Sequence, residues 1–183
     1  MVTQHEADAR ERNRSTREAW RDAIWRALAA IPDPEIPVVS VVELGIVRGV
    51  EWRGEELVVT VTPTYSGCPA TEVIAADIGR ALAASGIARY RVETRLAPAW
   101  TTDWIAPAAR EKLARFGIAP PGALAADARR PIDITALRRR EAVACPRCGS
   151  ANTRELSRFG STPCKAQYRC EACLEPFDYF KPH

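Results

Sequence analysis

The sequence has very little histidine. Its two histidines, His5 and His183, lie near the two ends of the chain. Histidine is the side chain most often used in general acid–base catalysis, so no histidine-based proton relay is expected in the folded core. The sequence also contains no glycine-rich phosphate loop and no serine-centred nucleophile motif. We therefore expect no stand-alone catalysis by this protein.

Long apolar runs are missing as well. No stretch approaches the roughly 18 apolar residues that a transmembrane helix needs. The first 14 residues are charged and lack the apolar region of a signal peptide. We therefore expect no membrane partner and a cytoplasmic location. The net charge of +3 is too small to indicate a nucleic-acid or membrane partner by itself.

Cysteine occurs in a regular pattern: four of the six cysteines form two Cys-x-x-Cys pairs. The pairs are Cys145 with Cys148 and Cys170 with Cys173. Two such turns bring four sulfurs together in a tetrahedral thiolate site, which is the usual geometry of structural zinc. In a reducing compartment, paired cysteines favour metal binding over disulfides. The pattern predicts a zinc ribbon with Zn²⁺ as a structural cofactor; two disulfides or reduced thiols without metal are the alternatives.

A closed site of four thiolates has no open position for a substrate. We therefore interpret the ribbon as a structural or docking module. Cys164 lies outside the pattern: if residues 164–170 form a strand, it is about 20 Å from Cys170, at roughly 3.3 Å per residue. We expect Cys164 to be a small buried side chain and not a ligand of the ribbon metal.

The chain is predicted to have an α+β fold, with a small α/β domain at residues 15–116 followed by a β zinc ribbon at 145–183. Residues 1–14 are predicted to be disordered, and residues 117–144, rich in alanine, proline and arginine, are predicted to be a linker. Apolar spacing within the α/β domain predicts the following elements in chain order: a helix ending before Pro32, strands at 46–52 and 57–62, a helix after Pro69, a strand at 90–96 and a helix at 107–116. Residues 38–44 could be a strand or a short buried helix.

Polar residues cluster at two points of the α/β domain. Asp33-Pro34-Glu35-Ile36-Pro37 places two carboxylates in a rigid turn that is incompatible with a helix. Cys68 precedes Pro69 at a predicted helix start, where free N–H groups favour an anion and lower the pKa of a thiol. A reactive thiolate near acidic groups is a plausible site for iron. The alternatives are a solvated loop for the carboxylates and a structural role for the cysteine.

Four short segments of this domain resemble the small α/β domain of cytosolic iron–sulfur assembly factors, including the bacterial SufT-like proteins. They are Asp33-Pro34-Glu35-Ile36-Pro37-Val38, Glu43-Leu44-Gly45-Ile46-Val47, Thr62-Pro63-Thr64 and Gly67-Cys68-Pro69. The stretch 97–104, APAWTTDW, is similar to the segment that follows the last strand of that domain. With the ribbon segments 160–165 and 176–181 included, nearly all of residues 15–183 resembles the PaaD family of phenylacetate-degradation proteins.

The resemblance implies that the protein functions together with the multicomponent phenylacetyl-CoA ring 1,2-epoxidase. That system has a di-iron oxygenase and a reductase with flavin and an iron–sulfur cluster. It implies an accessory factor that assists metal-centre maturation and carries iron or an iron–sulfur cluster transiently. Cys68 would be the transfer thiolate, and Asp33 and Glu35 would shape its pocket. The alternative is a non-catalytic structural subunit that docks onto the oxygenase or reductase.

Iron–sulfur clusters normally take four ligands, and Cys68 has no second cysteine near it in the sequence. This leaves transient carriage, a site shared in a homo-oligomer, or a site completed by the recipient protein. Zinc ribbons also bind nucleic acid, and Arg138-Arg139-Arg140 adds local positive charge. The acidic residues of the ribbon dilute that charge, so we interpret the arginines as a solvated helix face and expect no nucleic-acid partner.

Overall fold

The computed structural model describes residues 20–122 and 143–182. The predicted disordered segment 1–14, most of the predicted linker and the arginine run lie outside these residues. Helix α1 covers residues 20–29. Its inner face buries Ile24 and Leu28, four residues apart as expected, whereas Trp20 at the same spacing is 43% exposed.

The α/β domain contains a three-stranded sheet in the order β1-β2-β3. Strands β1 (Val47–Arg53) and β2 (Glu56–Val61) form the predicted antiparallel hairpin, which turns at Gly54 with a φ of 65°. Helix α2 (Thr71–Ala84) crosses over to β3 (Tyr90–Thr94), which pairs parallel with β2. Because β2 is the central strand, nearly all its side chains are buried.

Residues 38–44 form turns and a single bridge, so the predicted strand or short helix is wrong. The reason is local hydrogen bonding. The Ser40 backbone N–H donates to Glu43 Oε2 at 2.9 Å, and the Glu43 N–H donates to Ser40 Oγ at 3.1 Å. Side chains that satisfy nearby N–H groups in this way offer the backbone an alternative to helix or sheet ladders.

Helix α3 (Pro107–Phe116) has the predicted bounds, and Gly117 closes it with a φ of 96°. Proline at the first position and glycine after the last are the expected helix signals. A 3₁₀ turn at Thr102–Trp104 precedes α3. Across the described ranges, no helix has the length and apolar character to cross a membrane.

The ribbon forms a second sheet in the order β4-β7-β6-β5. Its hairpin strands are β5 (Thr153–Ser157) and β6 (Lys165–Cys170), and β7 (Pro176–Phe180) pairs antiparallel with β6. Strand β4 (Ile118–Ala119) directly follows α3, in the segment that we predicted to be linker, and pairs parallel with β7. The sheet of the ribbon therefore begins with a strand from the end of the α/β domain.

Ribbon side chains also enter the core of the α/β domain. Cys164, 4% exposed, and Phe180, 1% exposed, belong to the same buried cluster as α1, β2 and α2. Burying a phenylalanine side chain contributes roughly 1.5–3 kcal/mol. The ribbon thus packs onto the α/β domain, and its contact surface lies beside the loop that carries Cys68.

Candidate metal sites

The four cysteines of the two Cys-x-x-Cys pairs meet at one end of the ribbon. Their Sγ atoms all lie within 4.8 Å of one another. The Cys145 and Cys173 sulfurs are 3.8 Å apart, and those of Cys148 and Cys170 are 3.5 Å apart. A tetrahedral ion with Zn–S bonds of about 2.3 Å requires sulfurs about 3.8 Å apart. The described geometry therefore fits a metal of this size and coordination.

Backbone hydrogen bonds hold these turns in place. The Cys145 N–H donates to the Ser150 carbonyl at 2.9 Å, and the Gly149 N–H donates to the Cys145 carbonyl at 2.8 Å. The Cys173 N–H lies 3.5 Å from the Cys170 sulfur. This N–H is the main reason that the pKa of the Cys170 thiol falls to about 6, so its thiolate is favoured.

A second group of metal-ligating side chains lies where the α/β domain meets the ribbon. It surrounds a partly enclosed cavity of about 20 Å³, enough for roughly one water molecule. The cavity brings together Asp33, Glu35 and Cys68, the three residues predicted from the sequence to share a metal-transfer site. Its remaining walls are mostly apolar side chains of the α/β domain, together with Cys164 and Phe180 of the ribbon.

Asp33 is fixed by the turn that it begins. Its Oδ1 accepts hydrogen bonds of 2.9 Å from the backbone N–H groups of both Glu35 and Ile36, and the residue is only 6% exposed. Burial raises the pKa of the Asp33 carboxyl, although the two N–H groups and the nearby Lys165 ammonium act in the opposite direction. Asp33 is therefore a fixed and buried acid, whose ionisation lowers the stability of the fold, and not a solvated loop residue.

Cys68 lies three residues before α2, and its carbonyl accepts hydrogen bonds from the Thr71 N–H at 3.3 Å and the Thr71 hydroxyl at 2.9 Å. We expected the helix start to lower the pKa of the thiol, and this was wrong. Burial raises the pKa of Cys68, and the charges of Glu35 and Asp33 add to the rise, against a hydrogen bond from Ala70. The carboxylates repel a thiolate, so the pocket favours a cation among its ligands.

Sequence reasoning missed the second cysteine of this cavity. Cys164 Sγ lies 3.8 Å from Glu35 Oε2, although the two residues are 129 positions apart in the sequence. The Thr162 hydroxyl is 3.0 Å from the same sulfur, and burial raises the pKa of Cys164 to about 11. Cys164 is buried and outside the four-sulfur group, as predicted. The only signal in the sequence was that this cysteine has no place in the ribbon pattern.

Two family models match the chain, one over the α/β domain and the other over the ribbon. The model described as iron-sulfur cluster assembly protein matches residues 21–93. The model described as the PaaD zinc beta ribbon domain matches residues 130–181. The first match contains Asp33, Glu35 and Cys68, and the second contains all five cysteines of the ribbon segment.

Known proteins resemble the chain over different lengths. A putative component of the 1,2-phenylacetyl-CoA epoxidase of Escherichia coli is 50% identical over 158 residues, which cover 86% of this chain and 90% of that protein. The Fe-S protein maturation auxiliary factor YitW of Bacillus subtilis is 31% identical over 100 residues, which cover 54% of this chain and 90% of that protein. The crystal structure of a domain of unknown function (DUF59) from Bacillus anthracis is 28% identical in sequence, with a TM-score of 0.49. The match covers 52% of this chain and 92% of that domain. On the match over most of both chains to the Escherichia coli protein, this chain belongs to the PaaD family, in which an iron–sulfur assembly domain precedes a zinc β-ribbon.

Proposed function

We propose that this protein is an accessory factor of the phenylacetyl-CoA ring epoxidase system and assists assembly of its iron or iron–sulfur centres in the cytoplasm. One observation carries the proposal. Cys68 and the carboxylates of Asp33 and Glu35 line one cavity, within the domain that matches an iron–sulfur cluster assembly family. The relative named as a component of the epoxidase supports the choice of recipient.

The chemistry of the cavity suits a cation that is bound and then released. A thiolate is a soft ligand and carboxylates are hard ligands, a mixture that accepts iron. Without a cation, burial and the carboxylates hold Cys68 in its neutral thiol form. Binding of iron would displace the thiol proton to solvent, and loss of the iron would restore the thiol. This coupling opposes permanent retention of the cargo.

For the ribbon, we propose Zn²⁺ with a structural role. Four thiolates fill its coordination sphere, so no position remains for a substrate. The metal end of β6 is formed by Cys170, whereas Cys164, just before the other end of this strand, is buried in the core cluster of the α/β domain. Zinc would thus hold the ribbon that supplies two residues of the cavity wall, Cys164 just before β6 and Phe180 in β7. We propose that other parts of the ribbon surface dock to the oxygenase or reductase.

A purely structural component of the epoxidase is the second candidate. It is supported by the name of the Escherichia coli relative and by the closed metal site of the ribbon. In that case the Cys68 thiol would be dispensable. The two functions therefore differ in what happens to the metal content of the recipient when only this sulfur is removed.

The test is to produce the oxygenase and reductase with wild-type protein, with Cys68→Ser, or with Ser66→Ala as an exposed control from the same loop. Iron and acid-labile sulfide are then measured per recipient chain. Cys68→Ser is expected to lower recipient iron severalfold, whereas Ser66→Ala leaves it unchanged. Full recipient iron with folded Cys68→Ser protein would reject the maturation function and favour the structural role.

A further inference from the structure

We infer that Cys164 is a second ligand of the Cys68 site and that the two thiolates, with Glu35, bind a single iron ion. The inference deepens the proposed metal-transfer function and rests on it. It makes the ribbon a part of the cargo site and not only its support. It also removes the need for a second copy of the chain, or for the recipient, to supply another cysteine.

Cys164 reaches the cavity from the ribbon, whereas Cys68 belongs to the α/β domain. Cys164 Sγ is 3.8 Å from Glu35 Oε2, and both cysteines line the same cavity as Asp33. The Cys164 carbonyl accepts a hydrogen bond from the Lys181 N–H at 3.0 Å, which ties its loop to the end of β7. The sulfur is therefore held at the interface by strand pairing and by the packing of Phe180.

An unsatisfied polar atom lies among the same groups. The Tyr65 hydroxyl is buried and has no hydrogen-bond partner among the described residues. Burial raises the pKa of this hydroxyl, and the charges of Cys68, Glu35 and Cys164 add to the rise. Buried polar groups without a partner are rare in native proteins, and a bound ion or water is one common explanation. The electrostatic influence of these three groups places the Tyr65 hydroxyl near Cys68, Glu35 and Cys164.

The volume of the cavity indicates how many ions it can hold. A volume of about 20 Å³ accommodates one ion or one water molecule. Across the described residues, only the four ribbon cysteines form a group of three or more ligand atoms within 4.8 Å of one another. An ion in the cavity must therefore draw Cys68, Cys164 and Glu35 inward, which suits a site that releases its cargo.

Charge balance supports a divalent cation. Two thiols would each lose a proton to solvent on binding, and the carboxylates of Asp33 and Glu35 line the same cavity. The Lys165 side chain is the buried cation nearby; it is 4% exposed, with Nζ 3.7 Å from Asp178 Oδ2. One ammonium group does not balance four negative groups, whereas a divalent ion beside it brings the net charge close to that of an ordinary buried site.

Cobalt is the probe that separates this site from the ribbon. The full-length protein is purified without oxygen, shown to hold one zinc per chain, and titrated with Co²⁺. Zinc remains in the ribbon because thiolate sites bind Zn²⁺ more tightly than Co²⁺. We expect wild-type protein to bind one Co²⁺ with a thiolate-to-cobalt absorption band. Cys164→Ala should lose about half of the band and weaken binding at least about tenfold, since even outer-shell changes cost that much.

Ser161→Ala is the matched control, because Ser161 is on the same loop but its hydroxyl bonds to Asp178 at 2.8 Å. It should bind Co²⁺ like wild type. An unchanged band in Cys164→Ala, or no cobalt binding by the wild type, would overturn the inference. If Cys164→Ala does not fold, cobalt-edge X-ray absorption of the wild type decides: two sulfur ligands support the inference and a single one overturns it.

The same measurements distinguish failure of the inference from failure of the proposed function. One sulfur per cobalt, together with low recipient iron in the Cys68→Ser strain, would leave the maturation function in place and remove Cys164 from the site. Two sulfurs per cobalt, with full recipient iron in that strain, would leave a two-thiolate metal site and reject its role in maturation.

Discussion

The rings of Trp100 and Phe180 lie 6.0 Å apart, one in the segment after β3 and the other in the last strand of the ribbon. Trp100 is also anchored to the α/β domain, because its Nε1–H donates to the Leu44 carbonyl at 3.0 Å. Both aromatic side chains are almost completely buried. Phe180 also lines the cavity that contains Cys68, so we expect the stability of the ribbon and that of this cavity to be coupled through the contact.

Phe180→Ala should therefore destabilise the whole protein. Truncating a buried phenylalanine costs about 3–5 kcal/mol, because transfer free energy is lost and a cavity remains. Urea unfolding followed by tryptophan fluorescence measures the change. Phe159→Ala is the control, since Phe159 is 68% exposed and surface changes usually stay within about 0.5 kcal/mol. Equal stabilities of the two variants would show that the two parts are not coupled through Phe180.

Cys148→Ser should release zinc from the ribbon and lower its thermal stability, because three thiolates no longer complete the tetrahedral site. Zinc per chain and the melting curve are the measurements. Cys164→Ala provides the control, since its sulfur lies outside the four-cysteine group and that variant should keep one zinc. Full zinc and unchanged melting in Cys148→Ser would refute the assignment of the ribbon site.

Asp33→Asn should make the protein more stable at neutral pH. The pKa of Asp33 is raised mainly by burial, so the folded state binds the proton more tightly than the unfolded chain. The ionised group therefore destabilises the fold as pH rises above the unfolded value of 3.8. Asparagine can still accept the hydrogen bonds at Oδ1 without the charge.

The gain in stability of Asp33→Asn over wild type should be largest near pH 7 and should vanish as pH falls towards 4. Melting temperatures of both proteins across that pH range measure it. A gain that stays the same at low pH would show that its cause is not the buried charge. Lower stability of the variant at pH 7 would contradict the prediction that the buried charge of Asp33 destabilises the fold.

Glu43→Gln should reduce stability by about 0.5 kcal/mol at neutral pH, the scale of a solvent-screened ion pair. Burial alone would raise the pKa of Glu43, but the hydrogen bond from Lys112 at 2.6 Å and the Ser40 N–H lower it overall. A lowered folded pKa stabilises the fold above the unfolded value of 4.5, and this contribution is lost as pH falls through the folded pKa.

The difference between wild type and Glu43→Gln should therefore disappear in acid. Glu111→Gln serves as the control, because Glu111 is exposed and adjacent to Lys112 in the sequence. Its stability should match wild type across the pH range. A loss in Glu43→Gln that persists below the folded pKa would assign the effect to side-chain shape rather than to charge.

Local signals in the sequence predicted much of this fold. Proline at position 107 and glycine at 117 delimited α3, and the Cys-x-x-Cys spacing identified the four-sulfur group, because helix ends and metal turns depend on neighbouring residues. Residues 38–44 were mispredicted because the bonds between Ser40 and Glu43 override the β propensity of that segment.

The composition of the Cys68 cavity could be predicted only in part. Asp33, Glu35 and Cys68 were indicated by a turn, a helix start and a family resemblance. Cys164 depends on the pairing of β4 with β7 and on the packing of Phe180, contacts between distant segments that no local pattern encodes. The raised pKa of Cys68 was missed for the same reason, since burial and the two carboxylates are tertiary effects.

The proposed function requires that iron passes from the cavity lined by Cys68 to a component of the epoxidase. In the most direct measurement, the purified protein is loaded with ⁵⁷Fe²⁺ and mixed without oxygen with iron-depleted oxygenase or reductase. The amount of ⁵⁷Fe in the re-isolated recipient is then measured by mass spectrometry. A chelator is present to capture free iron. We predict transfer from wild-type protein and almost none from Cys68→Ser. Equal iron in the recipient with both proteins, or none with either, would contradict the claim.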